Sequence, residues 1–246
     1  MDILVVLEDS QGSLHRLSKE AIVGAQELGG KVVALAIGKH CEQIASECLS
    51  FDIENVITVN HELVSTYNAD GYSNIVKTII EANSPKIIVT GHTYQTRDFM
   101  PRVSAALDIP FIPDIISFSE SSFVKQVLNA KLNATASFST DQVILSFQSA
   151  AFTEENITPG SCSANAFDVN LDSSIVRSKS EDPFQEDAGD VDLESAELLV
   201  SVGRGIEKEE NIPMAFELAK VLGAEVSASR PVVDSGWIDS FRQVGS

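Results

Sequence analysis

Residues 198–237, which read LLVSVGRGIEKEENIPMAFELAKVLGAEVSASRPVVDSGW, decide the fold of the carboxyl-terminal part of this chain. Two short apolar runs, 198–202 and 224–228, enclose a stretch with helical periodicity. Asn211 is placed to cap this helix, a proline follows in its first turn, and Gly223 suits its end. The apolar residues that share one helix face are Met214, Leu218, Val221 and Leu222. The pattern predicts a strand–helix–strand unit with parallel strands.

Two arginines directly follow the predicted strands. Arg204 stands between Gly203 and Gly205 after the first strand, and Arg230 follows Ser229 after the second. A right-handed crossover brings the ends of both strands to one edge of the sheet, where open α/β sheets bind ligands. Two guanidinium groups, a glycine pair and a helix N-terminus at one crevice suit a phosphate or an electron-rich ring. Solvated arginines that balance nearby carboxylates would give the same spacing, so the pattern alone leaves both alternatives open.

The loops around these arginines closely resemble the alpha subunit of electron transfer flavoprotein. The resemblance rests on VSVGRG at 200–205, ASRPVVDSGW at 228–237 and QVG at 243–245. It implies that the module binds FAD and that Arg230 lies near the isoalloxazine ring, where a positive charge would stabilise reduced, anionic flavin. The cofactor-binding residues that the resemblance implies are Arg204, Ser229, Arg230, Gln243, Val244, Gly245 and Ser246.

The amino-terminal part alternates predicted strands with predicted helices. Strands are predicted at 3–7, 31–37, 55–59 and 86–90, and helices at 14–28, 41–49 and 70–82. This alternation predicts a parallel sheet that is covered on both faces, in an α/β domain of the nucleotide-binding kind. From about residue 114 the apolar period shortens towards two, and residues 123–147 are predicted to add antiparallel strands.

Pro101 is predicted in the first turn of a further helix, whose buried face is Val103, Ala106 and Leu107. The Pro-Arg-x-x-Ala-x-Leu pattern at 101–107, together with Asp114, also resembles the amino-terminal domain of the same alpha subunit. Residues 126–152 depart from the family. Members usually carry Arg shortly before the position of Phe152, where this chain has Gln148.

Composition excludes several classes of partner. The 246 residues include 17 Lys and Arg against 36 Asp and Glu, a net charge of −19, which repels nucleic acid and anionic membranes. No apolar run is long enough for membrane insertion, and Cys41, Cys48 and Cys162 lack the spacing of a disulfide framework or a zinc site. These features predict a cytoplasmic, prokaryotic protein.

Acidic residues separate the two predicted domains. Eight Asp or Glu residues fall within 168–192, a stretch with little apolar content. The domains are therefore placed at 1–167 and 191–246, with an acidic linker at 168–190.

The second domain is predicted to be the start of a flavodoxin- or Rossmann-like FAD domain. Family members continue past the position of Ser246, and one βαβ unit is marginal alone, so weak or absent FAD binding is expected of this chain.

The resemblance implies an electron carrier rather than an enzyme, and no catalytic residue and no metal site are predicted. The resemblance implies a heterodimer with a beta subunit. It would pass electrons from acyl-CoA or other flavin dehydrogenases, as in fatty acid oxidation, to a quinone oxidoreductase or similar acceptor. His92, at a predicted strand end, has no nucleophile motif or second metal ligand beside it and is predicted to be a hydrogen-bonding loop residue.

Two nucleotide-binding alternatives remain weaker. An adenine-nucleotide-binding signalling domain of the universal-stress-like class needs a glycine-rich phosphate loop after its fourth strand, where only Gly91 stands. A dinucleotide dehydrogenase would need a later glycine after Gly203-Arg204-Gly205, and it is absent.

Overall fold

The computed structural model describes residues 1–120, 122–178, 180, 193 and 196–245. The chain divides into two compact units, Met1–Ser180 and Glu181–Ser246, which are described separately. Residues 181–190 of the predicted acidic linker lie outside the described residues.

The first unit contains eleven described strands and four α-helices. The strands are β1 Ile3–Val6, β2 Asp9–Ser10, β3 Ser13–Leu14, β4 Val32–Ile37, β5 Asn55–Val59, β6 Ile87–Gly91, β7 Phe111–Ser119, β8 Ser122–Val127, β9 Leu132–Ala136, β10 Val143–Phe147 and β11 Ser163–Ala166. The helices are α1 Arg16–Leu28, α2 Cys41–Cys48, α3 Ala69–Asn83 and α4 Tyr94–Leu107.

One large sheet organises the first unit, in the order β11-β5-β4-β1-β6-β10-β7-β8-β9. The strands from β11 to β7 are parallel, and β8 and β9 continue the sheet in antiparallel fashion. β2 and β3 form a separate hairpin. The predicted parallel sheet with antiparallel additions is therefore confirmed.

Helices cover both faces of this sheet, as the alternation predicted. α1 and α2 pack on one face around Ile3, Val5 and Phe147, and α3 and α4 pack on the other around Leu4 and Val6. Every residue of β1 and β4 is buried, which explains why both strands are continuous apolar runs rather than alternating ones.

The prediction for residues 143–147 was wrong. β10 is not an antiparallel addition but a fully buried parallel strand inside the sheet, between β6 and β7. Its sequence, Val-Ile-Leu-Ser-Phe, is mostly apolar and does not alternate with polar residues, as expected for a strand covered on both faces. Four further strands of the first unit, β2, β3, β7 and β11, were not predicted. Pro113 within β7 weakened its strand signal, and β11 is an exposed edge strand of two alanines, a serine and an asparagine.

The prediction for Pro101 was also wrong. α4 begins at Tyr94 because the Thr93 side chain caps it, accepting a hydrogen bond of 3.0 Å from the amide of Thr96. Pro101 therefore lies in the middle of the helix, on its exposed side, where water can reach the carbonyl that loses its partner. Val103 is buried as predicted, Leu107 is half-buried, and Ala106 is exposed; the buried face is Thr96, Phe99, Met100 and Val103.

The second unit contains the predicted strand–helix–strand arrangement. Its described elements are β12 Leu199–Val202, α5 Ile212–Leu222, β13 Glu225–Ser229, α6 Arg230–Asp234 and β14 Gln243–Val244. The three strands are parallel and lie in the order β12-β13-β14. Gly223 ends α5 with a φ of 66°, a left-handed conformation that favours glycine.

The apolar face predicted for α5 is not its buried face. Ile212, Ala215 and Ala219 pack into the small core of this unit. The residues of the predicted face are instead 51% to 84% exposed; they are Met214, Leu218, Val221 and Leu222. Asn211 occupies the N-cap position, but its side chain does not cap the helix; it donates to the carbonyl of Ile206 at 2.9 Å. Among the described residues, no helix is both long and apolar enough to cross a bilayer.

Candidate functional site

The two predicted site arginines lie at the same edge of the second sheet. Val202 pairs with Ala228 in the parallel register of β12 and β13. Arg204 and Arg230 each follow these paired residues by two positions, so both leave the sheet at the carboxyl ends of neighbouring strands. This placement agrees with the expectation from the right-handed crossover and identifies the edge where α/β sheets bind ligands.

The loop after β12 is open on its outer side. Residues Arg204–Ile206 form a short 3-10 turn, and Arg204 is exposed. A Cβ atom added to Gly203 or Gly205 would meet no atom within 4 Å, so the backbone itself is accessible to a ligand. Beside this loop lies a cavity of about 540 Å³, lined by apolar side chains and loop glycines that include Ile206, Met214 and Leu218.

The loop after β13 meets the last strand of the unit. Gln243 pairs with Ala228 and Val244 pairs with Ser229, so Ser229, Gln243 and Val244 lie side by side. Gly245 follows with a φ of 76°, and its carbonyl accepts a hydrogen bond of 3.3 Å from the Gln243 side chain. Ser246 lies outside the described residues. The described part of this predicted loop is thus assembled beside the end of β13.

A carboxylate of the same short helix lies beside Arg230. The Arg230 Nε lies 3.5 Å from Oδ2 of Asp234, and 63% and 65% of the two side chains are exposed. Such an exposed pair is weak, so Arg230 remains free to exchange Asp234 for a ligand. In a chain with a net charge of −19, two arginines at one sheet edge provide a local positive site. Chemically, the arrangement can hold a phosphate and can stabilise negative charge on a ring.

Arg242 is a functional candidate that the sequence reasoning missed. Its Nη1 donates to the carbonyl of Val226 at 2.9 Å and lies 3.5 Å from Oε2 of Glu225. Its guanidinium group lies over the rings of Phe216 and Phe241. The available signal was an arginine directly before the Gln243-Val244-Gly245 loop.

The crevice of the first unit has no open glycine loop after β6 among the described residues. Glu8, just beyond β1, accepts a hydrogen bond from the Thr93 hydroxyl, and burial raises the pKa of its carboxyl group. Gly91 is not part of an open loop, because an added Cβ would lie only 2.6 Å from Cβ of Leu17. This glycine permits close packing of α1 rather than a phosphate cradle, so the adenine-nucleotide alternative is not favoured.

His92 is a hydrogen-bonding residue at the end of β6, as predicted. Its Nδ1 shares a hydrogen bond of 2.8 Å with the hydroxyl of Ser146, and its Nε2 lies 4.0 Å from Oδ1 of Asp114. Burial lowers the pKa of the imidazole, which favours the neutral form. No cluster of three or more potential metal ligands occurs within the part of the chain that the structure describes.

Two family models match the chain and together cover most of it. The electron transfer flavoprotein domain matches residues 3–172, and the electron transfer flavoprotein FAD-binding domain matches residues 192–246. The first match covers the large sheet, and the second covers the unit that contains both arginines.

Similar proteins agree with these matches. The chain is 31% identical to the electron transfer flavoprotein subunit alpha of Bacillus subtilis, over 99% of this chain and 76% of that protein. It is 30% identical to the alpha subunit of Thermoanaerobacterium thermosaccharolyticum, over 99% and 77%. It is 28% identical to an acryloyl-CoA reductase electron transfer subunit beta of Anaerotignum propionicum, over 99% and 77%. The chain therefore belongs to the electron transfer flavoprotein family, as an alpha subunit and an electron-transfer protein rather than a catalytic enzyme.

Proposed function

We propose that the carboxyl-terminal edge of the second sheet holds FAD. The observation that carries the proposal is the convergence of Arg204, Arg230 and the 243–245 loop at the ends of adjacent strands. When bound, FAD accepts and donates the electrons. The chain supplies Arg204 and the backbone of the open glycine loop for the cofactor phosphates. Arg230 supplies a positive charge beside the ring system.

Ser229, Gln243, Val244 and Gly245 complete the proposed cofactor-binding set, together with Ser246. Ser229 and Val244 are neighbours across the β13–β14 ladder, which gives the two loops one fixed spacing. Groups that are already placed before binding reduce the cost of ordering a cofactor site.

We propose that the chain forms a heterodimer with a beta-type subunit. The heterodimer would receive electrons from acyl-CoA or other flavin dehydrogenases, as in fatty acid oxidation. It would pass them to a quinone oxidoreductase or similar acceptor. The names of the similar proteins support an electron-transfer subunit that works with a partner, since one is a subunit for acryloyl-CoA reductase.

Cys41 and Cys48 are buried free thiols, which supports a reducing, cytoplasmic location. The domain boundaries 1–167 and 191–246, joined by the 168–190 linker, remain part of the proposal.

FAD binding by this chain alone is proposed to be weak. The described part of the second unit has a small core of eight buried apolar residues, and the outer apolar face of α5 is exposed. A site built on so little packing is held less firmly than a site supported by packing on every side.

A visible absorption spectrum of the chain co-produced with its beta-type partner tests the proposal first. We expect a flavin spectrum, and we expect FAD titration of the chain alone to give much weaker binding. In the complex, Arg230→Ala should lower the reduction potential of the bound flavin, because a positive charge beside the reduced ring is lost. Lys220→Ala removes an exposed charge from α5 and is the matched control. A colourless complex that FAD cannot reconstitute would contradict the proposal.

A further inference from the structure

We propose that Arg242 is a positioning residue, which fixes the register of β14 on β13 and so holds the 243–245 loop beside Ser229 and Arg230. The proposal rests on the proposed function, because that function assigns the loop to FAD. Arg242 is proposed to contact neither the cofactor phosphates nor the ring. It acts through the backbone that follows it.

The strand that Arg242 precedes is too short to be a firm anchor. Within the described residues, β14 consists of two residues, which pair with Ala228 and Ser229. The Arg242 Nη1 donates to the carbonyl of Val226 in β13. Val226 lies two residues before Ala228, the first residue of β13 that pairs with β14. The side chain therefore takes the place of a backbone donor that β14 lacks, and it extends the ladder by one further interaction.

Aromatic packing fixes the guanidinium group in this position. Its central carbon lies 5.4 Å from the centre of the Phe216 ring and 5.6 Å from that of Phe241, within cation–π range. Phe216 belongs to α5 and Phe241 belongs to the loop, so Arg242 joins three parts of the unit. Only 17% of its side chain is exposed, against 63% for Arg230. Arg242 is thus built into the unit, whereas Arg230 projects from it.

Register matters here because side chains alternate along a strand. A slip of one residue would turn Gln243 and Val244 to opposite faces and break the spacing between Val244 and Ser229. Two rungs alone resist such a slip weakly, since register is poorly specified in short strands with little buried surface. The contact to Val226 adds a third point of attachment to the two rungs and favours the observed register, which is why we assign the positioning role to Arg242.

Three variants test the proposal. Arg242→Met keeps an unbranched apolar stem but removes the guanidinium group, with its donors and its charge. Arg242→Lys keeps a charged donor group but loses the planar stacking group. Lys220→Met removes an exposed charge from the same unit as the control. We expect hydrogen exchange of the 240–245 backbone in the 246-residue chain to become about tenfold faster in Arg242→Met. We expect a smaller change in Arg242→Lys and none in Lys220→Met.

The same variants are then compared as complexes with the beta-type partner. We expect FAD affinity to fall about tenfold in Arg242→Met, because the loop must be ordered when FAD binds, and to be partly restored in Arg242→Lys. Unchanged hydrogen exchange in Arg242→Met would overturn the positioning role. Faster exchange with unchanged FAD affinity would overturn its link to the flavin. If the wild-type complex binds no FAD, the proposed function fails instead, and hydrogen exchange still decides whether Arg242 sets the register.

Discussion

Helices α3 and α5 have the same kind of apolar pattern but bury it very differently. In α3, Ile75, Val76, Ile79 and Ile80 are at most 2% exposed. In α5, Val221 is 84% exposed and Met214 is 64% exposed, and the buried residues include two alanines. Helical periodicity therefore identified both helices correctly, but it did not identify which face of α5 is buried.

The difference teaches that the two units derive stability from different sources. In the first unit, two helix layers enclose the sheet, and each fully buried Val, Leu, Ile, Phe or Met side chain contributes about 1.5–3 kcal/mol. In the second unit, the buried apolar side chains are fewer, and polar contacts such as those of Arg242 carry more of the local order. The chain offers a separate optical probe for each unit. Trp237 is the single tryptophan and lies in the second unit, whereas Tyr67, Tyr72 and Tyr94 all lie in the first.

The largest expected effect comes from truncating the α3 face. Ile79→Ala should lower the free energy of unfolding of the first unit by about 2–5 kcal/mol, because it leaves a cavity in a close-packed core. Leu218→Ala, on the exposed face of α5, should change the stability of the second unit by less than about 1 kcal/mol. Denaturant unfolding followed by tyrosine and tryptophan signals measures both. Equal losses of unfolding free energy in Ile79→Ala and Leu218→Ala would show that these faces of α3 and α5 are equally buried in solution.

A second pair of variants compares the glycines. Gly24→Ala should destabilise the first unit by about 1–3 kcal/mol, because the new Cβ would lie 2.4 Å from the Phe147 ring. Gly203→Ala should leave stability nearly unchanged, because its φ of −109° suits alanine and the surrounding space is open. Thermal unfolding of the two variants gives the comparison. A destabilised Gly203→Ala would mean that the open loop is packed in solution.

Helix capping gives a smaller contrast. The Asn68 side chain caps α3, accepting from the amide of Gly71 at 2.7 Å, and donates to the carbonyl of Leu63 at 2.6 Å. Asn68→Ala should therefore cost about 1–2 kcal/mol. Asn211→Ala should cost less, about 0.5–1 kcal/mol, because Asn211 loses one neutral hydrogen bond and no cap. Urea midpoints of each unit provide the test, and the reverse order of losses would contradict it.

The smallest expected effect concerns pH. Hydrogen bonds from the Arg177 backbone and side chain, with Arg102 nearby, hold the pKa of Asp70 below its ordinary value of 3.8. The stabilisation is present above that value and is lost as the pH falls through the lowered pKa of the folded state. Asp70→Asn should therefore flatten the acid side of the stability profile of the first unit, by less than about 1 kcal/mol. Acid unfolding curves that superimpose for both proteins would rule out this contribution.

Local sequence signals predicted strands β1, β4, β5 and β6, helices α1 to α3 and the strand–helix–strand unit. Their boundaries depend on nearby residues, such as Gly29 after α1 and Gly223 after α5. Local signals failed where placement depends on distant parts of the chain. β10 lies inside the sheet because β6 and β7 leave room for it between them. The residues around 143–147 carry no information about this gap.

The candidate site shows the same limit. Arg204 and Arg230 could be placed at one edge because a crossover rule links their strands, and that geometry holds. Their roles towards FAD come from the resemblance and stay predictions. Arg242 escaped notice because its partner carbonyl, on Val226, lies 16 residues earlier in the chain. A side-chain hydrogen bond over that distance leaves no periodic signal.

The place of β10 between β6 and β7 also has a consequence for synthesis on the ribosome. Residues 1–107 can assemble β5, β4, β1 and β6 as a four-stranded sheet, but the outer edge of β6 then has no neighbour. β7 to β9 emerge next, and they cannot join this sheet until residues 143–147 have emerged and been inserted. During that interval the nascent chain exposes an apolar strand edge, a surface prone to misassembly and chaperone capture. We therefore expect productive folding of the first unit to wait for its tenth strand.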